Sequence, residues 1–158
     1  MPNLKEFQRL IKDIKALQDF KKSESMAKLL KTTAQTLESV SDESFENKKS
    51  PFGEAWQDRA PATKLKLLRQ RKLSQSDILQ VSEHLRRSIG TKIASNSVIL
   101  GTNVSKGYAA IHQFGGYGGK DKKVKIPARP YLPINNKGEL PQGLEKEIEG
   151  FIWKYLGV

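Results

Sequence analysis

The chain has 158 residues, of which 28 are Lys or Arg and 17 are Asp or Glu. That gives a formal charge of +11, with 37% hydrophobic residues and no cysteine. This size fits one domain with a modest core, and the lack of thiols excludes disulfides, thiolate metal sites and a cysteine nucleophile. No apolar run approaches the ~20 residues that span a bilayer, and Met1-Pro2-Asn3-Leu4-Lys5-Glu6-Phe7 lacks the apolar core of a signal peptide, so the chain is expected in the cytoplasm at synthesis.

Residues 4–21 read as an amphipathic helix. Leu4, Phe7, Ile11, Ile14 and Leu17 follow three–four spacing, and Asn3 is placed to cap it. After a break at Lys21-Lys22-Ser23, a second helix is expected from about Ser25 to Phe45. Its stripe is Ala27, Leu30, Ala34, Leu37, Ser41 and Phe45, and the two helices should pack as an antiparallel pair. Residues 46–59 read as a connector with turn formers Pro51 and Gly53 and aromatic anchors Phe52 and Trp56.

A basic run follows: Arg59, Lys64, Lys66, Arg69, Arg71 and Lys72, with no acid between Arg59 and Ser76. It reads first as a solvated loop and second as a phosphate-binding stripe, although no aromatic is interleaved for base stacking. Ser76–Val81 suggests one or two capped helical turns. From Leu85 to Ile93 the apolar residues alternate, which predicts a strand. The competing helical face is Ile78, Val81, Leu85 and Ile89. Ser95-Asn96 is a turn, and Ser97–Gly101 the partner strand.

Tyr108, Ile111 and Phe114 share one face of two helical turns. Gly115-Gly116 should end them. Tyr117–Lys123 reads as an exposed, mobile loop, and Val124 onward as an edge strand stiffened by Pro127 and Pro130. Arg129, between two prolines, suits bidentate pairing with a carboxylate or phosphate, as an intrachain clamp or a subunit contact. Asn135–Gly138 is a turn cluster. A last helix begins near Pro141, with Leu144, Ile148, Phe151, Ile152 and Tyr155 as its stripe, to cover the sheet or the helical pair.

The resulting expectation is an α+β chain: an N-terminal helical pair, a small antiparallel β-sheet and a C-terminal helix packed on it. It is organised as one domain over 1–158, with the helical pair at 1–46 and a basic connector at 47–75. A β-rich body with the glycine/lysine loop follows at 76–134, and the last helix at 138–158.

Two segments carry a resemblance. Tyr108-Ala109-Ala110-Ile111-His112-Gln113-Phe114-Gly115-Gly116, followed by Ile126-Pro127-Ala128-Arg129-Pro130-Tyr131-Leu132, resembles the signature of the phage virion morphogenesis family. These are tail completion proteins of Mu-like phages and prophages. Ser50-Pro51-Phe52-Gly53 before Trp56, Leu85–Ile89 and Val98–Asn103 resemble weaker features of that family in the same order. His84 stands where that pattern has a glycine. The resemblance implies a structural assembly protein acting in tail completion or head–tail joining. It implies a ring of copies, other tail and neck proteins as partners, and a place in the host cytoplasm during assembly and then in the virion.

The interface candidates are Tyr108, His112, Gln113, Phe114, Gly115, Gly116, Lys120, Lys122, Lys123, Arg129 and Tyr131. The alternative reading is a non-enzymatic, basic nucleic-acid-binding module that uses the 59–72 run. No metal or cofactor site is expected, because the two histidines show no ligand spacing. His112 beside Ser88 or Thr102 could be drawn as a base–nucleophile pair, but no spacing requires it. The chain therefore reads as no enzyme.

Overall fold

The computed structural model describes residues 4–21, 23–72, 77–119, 121 and 123–156. Asn3, Ser76, Lys120 and Lys122 lie outside them. The elements are α1 (Leu4–Lys21), α2 (Glu24–Asn47), α3 (Pro61–Arg69), α4 (His84–Arg87), β1 (Ile89–Ala94), β2 (Ser97–Thr102), α5 (Lys106–Phe114), β3 (Gly116–Gly118), β4 (Val124–Ile126) and α6 (Gln142–Leu156). The architecture is α+β, with two separate antiparallel ribbons, β1–β2 and β3–β4.

The body is built on α2. Ser23 caps its start by accepting the Met26 N–H. Lys48, with φ of 53°, closes its end by donating to Ser44 O. Leu29, Leu30, Ala34, Leu37, Ser41, Ser44 and Phe45 are buried along it. The β1–β2 hairpin packs on α2, and so does α6. The last helix therefore covers α2 rather than a sheet, through Leu144 and the partly buried Ile148, Phe151 and Tyr155. The hairpin runs in register from Ile89↔Thr102 to Ala94↔Ser97, turning at Ser95-Asn96. The Thr91 N–H ties it to α2 by donating to Glu38 Oε1 at 2.8 Å.

At the last turn of α2 lies the central cluster: Phe45, Trp56, Leu85, Ala109 and Tyr131, flanked by Ile78, Leu79, Ile89, Val104 and Leu132. Phe45 meets Trp56 edge-on, with ring centres 5.3 Å apart, and Tyr131 at 5.6 Å.

Four expectations are corrected. The 59–72 run is not a solvated loop: Pro61 to Arg69 form α3. Pro61 supplies the fixed φ of a first helical residue, and Leu67 is buried. Arg71 at φ 55° ends the helix while Lys72 N–H reaches back to Leu67 O. Leu85 does not begin a strand. It lies in the single turn α4 and points into the core, 1% exposed, and β1 starts at Ile89. Residues 77–81 form a turn closed by Gln80 N–H to Asp77 O rather than helix. The stretch expected as loop from Tyr117 opens as β3, paired Gly116↔Ile126, Tyr117↔Lys125 and Gly118↔Val124.

One expected packing is not made. Ile11, Ile14 and Leu17 of α1 are 41%, 46% and 57% exposed, so α2 does not cover that stripe.

Removing Phe45 would empty the ring cluster at its centre. Phe45→Ala should cost about 3–5 kcal/mol, seen as a lower urea midpoint at unchanged m. A loss under about 1 kcal/mol would mean that the cluster is not the core.

Candidate assembly site

The two signature segments meet at Gln113, which is 2% exposed near the end of α5. Its Oε1 accepts from Tyr131 N–H at 3.0 Å and Leu132 N–H at 2.9 Å. Its Nε2 donates to Leu132 O and Ile134 O, both at 3.0 Å. One side-chain amide thus does for residues 131–134 what a neighbouring strand would do. The segment needs this because its prolines remove donors and it joins neither ribbon. Tyr131, fully buried, adds a bond from its hydroxyl to Ala109 O at 3.1 Å. Burial pushes this phenol up to about 12.

Arg129 turns the other way. Its N–H donates to His112 O at 2.7 Å. Its Nε and one terminal nitrogen donate to the carbonyls of Gln57 and Asp58 at 2.8 and 3.0 Å. Trp56 Nε1 donates to Pro130 O at 2.9 Å. The guanidinium is therefore an intrachain clamp that grips backbone carbonyls, and neither bond goes to a carboxylate or phosphate. Burial and the nearby Arg59 lower its pKa from the usual value.

Gly115, at φ 74°, ends α5. A side chain there would put its first carbon 3.0 Å from Ala128 N and 3.3 Å from Ile126 O, so glycine allows the two segments to touch. At Gly118 the Ile126 side chain fills the space a Cβ would take.

His112 is half-buried and stacks edge-on against Tyr108 at 4.6 Å. Its Nδ1 is buried with no hydrogen-bond partner. Burial, with a smaller push from Arg129, lowers its pKa below 6.5. Ser88 and Thr102, the hydroxyls that could have faced it, bond to each other at the hairpin base.

The structure sorts the remaining candidates by depth. Gln113, Arg129 and Tyr131 are buried, whereas Tyr108, Phe114 and Lys123 are exposed. Phe114 lines a cleft of about 480 Å³ with Phe52, Trp56, Ile134 and Lys137. Tyr108 and His112 line a second, of about 360 Å³, with Ile78, Leu79, Lys125 and Arg129. The basic run is divided between α3 and its ends. Lys64 pairs with Asp58, Lys66 and Arg69 lie in the last turn of α3, and Arg71 forms its C-terminal stop.

Sequence reasoning missed Arg86. It joins α4 to α2 through Asp42 at 2.6 Å and Glu46 at 3.0 Å, and it also donates to Gln80 Oε1. Asp42 and Glu46 lie four apart on one helix face, which was the available signal.

The signature's polar groups hold the molecule together, and its aromatics Tyr108 and Phe114 stay exposed. The chain belongs to the phage virion morphogenesis family, whose pattern matches residues 3–157. Among its relatives is a Haemophilus influenzae protein called "Mu-like prophage FluMu G protein 2". The two are 37% identical over 113 residues, covering 72% of this chain and 70% of the relative. No solved structure matches the chain. The family places this protein in phage virion assembly. Among the described residues no helix is long and apolar enough to cross a membrane.

Gln113→Met keeps the length of the side chain but strands the N–H groups of Tyr131 and Leu132 and the carbonyl of Ile134, while Leu132 O keeps its bond from Ile134 N–H. It should destabilise by at least about 3 kcal/mol, read by urea unfolding. The lowered pKa of His112 means that the unfolded chain binds more protons, so stability rises with pH. His112's contribution is complete above pH 6.5 and is lost as pH falls from there towards its folded-state pKa. The thermal midpoint should fall over that window in the wild type and fall less in His112→Gln.

Proposed function

We propose that this protein is a structural component acting in tail completion or head–tail joining, through contacts with other tail and neck proteins in a ring-like assembly. It works by fitting surfaces and turns over no substrate. One observation carries this reading. The signature uses its polar groups internally, on Gln113, Arg129 and Tyr131, and leaves Tyr108, Phe114, Tyr117 and Val124 exposed around it. Tyr108 and Val124 border one cleft and Phe114 the other, and large apolar side chains beside open clefts are suited to contact with a partner. The frame is held by backbone-directed bonds, so it stays in shape while its rim varies.

The gene's deletion, examined by electron microscopy of the particles, tests the proposal. Heads and tails should accumulate unjoined, or tails with unfinished ends. Complementation with Phe114→Asp/Tyr117→Asp should give a stable protein and at least a hundredfold loss of infectious particles. Normal joined particles from the deletion strain would overturn the reading.

A further inference from the structure

A compact monomer of 17.8 kDa exposes about 8,000 Å². This chain exposes 11599 Å². The excess, roughly 3,600 Å², is within the range that permanent subunit interfaces bury. Much of it has an identifiable source. Helix α1 carries an apolar stripe that nothing among the described residues covers, with Ile11, Ile14 and Leu17 all exposed.

A second apolar patch lies near the root of that helix. Leu144 and Glu147 of α6 lie beside Ser44 and Asn47 of α2. At the other end of α6, the Tyr155 hydroxyl is 3.1 Å from Thr32 Oγ1. Helix α6 therefore runs back along α2 towards the point where α1 leaves. There Ile152 and Trp153 are 38% and 57% exposed. The acids Glu38, Asp42 and Glu46 of α2 are taken up by the hairpin and α4, so what arm and receiver share is exposed apolar area.

We propose that α1 is an arm that docks on a second copy of this chain, laying Ile11, Ile14 and Leu17 against Ile152 and Trp153 at the exposed end of α6. Arm and receiver are different surfaces, so the contact is head-to-tail. Each copy then gives one arm and accepts another, and a set of copies closes into a ring if the rotation allows. This deepens the ring-like assembly proposed above and names the element that links its subunits.

Mass measurement of the purified full-length chain tests it. The wild type should form species of at least twice 17.8 kDa at micromolar concentration. Ile11→Gln/Ile14→Gln/Leu17→Gln removes the arm's apolar face, and Trp153→Ala with Ile152→Gln removes the receiver. Each variant alone should be monomeric, with the thermal unfolding of the body retained. Mixed together, they should form a one-to-one dimer, because one still has its receiver and the other its arm. Three outcomes overturn the proposal: a monomeric wild type, as when α1 folds onto its own α6; variants that still assemble; or a mixture that stays monomeric. Arm-dependent oligomers from a gene whose deletion leaves normal particles would overturn the assembly role alone. A monomeric wild type with unjoined particles in the deletion strain would overturn the arm alone.

Discussion

Gln113 binds four backbone groups of residues 131–134 with one amide. Everything around the signature depends on that substitution of a side chain for a strand. Residues 127–133 contain three prolines and cannot run far in a ladder, because each proline lacks the donor a ladder needs. With Gln113 in place, Tyr131 is driven into the cluster under Phe45, and Arg129 is aimed at the connector. From there the order passes through Trp56 to Phe45 and so to the end of α2. The C-terminal ribbon, the connector and the long helix become one body through a few directed bonds and three rings.

Helix α2 supplies the second half of that body by different means. Its buried face mixes small residues, Ala34, Ser41 and Ser44, with Leu29, Leu30, Leu37 and Phe45. Small side chains let neighbours approach the helix closely, and large ones fill the gaps between them. The hairpin and α6 occupy its flanks, and Arg86 fastens α4 to its acidic side. A short, irregular β component is thereby held without a large sheet.

Much of this was legible in the sequence, for local reasons. The stripes of α1, α2 and α6 follow helical period, and the Ser95-Asn96 turn sits between alternating residues, so those elements were readable. The misreadings share a non-local cause. Leu85 and Ile89 alternate like a strand, but Arg86 is drawn to Asp42 and Glu46, some 40 residues earlier, and this holds 84–87 as a helical turn. Gly118 looked like loop composition, yet its missing side chain is room for Ile126. The charge of α3 hid a helix that rests on one buried leucine. At the site, the family signature did not reveal the depth of its residues. Gln113 and Tyr131 turn inward, and periodicity alone could not separate them from Phe114, which turns outward.

Arg129 reads the connector through the carbonyls of Gln57 and Asp58, which every amino acid possesses. The latch is therefore blind to the identity of the side chains it holds. Positions 57 and 58 can drift through evolution while the closure persists. The demand falls wholly on position 129, where a planar fork reaches two oxygens at once and a lysine's single ammonium offers no such fixed geometry. Divergent members of such a lineage can thus reshape the surface beside the latch without reopening the fold beneath it.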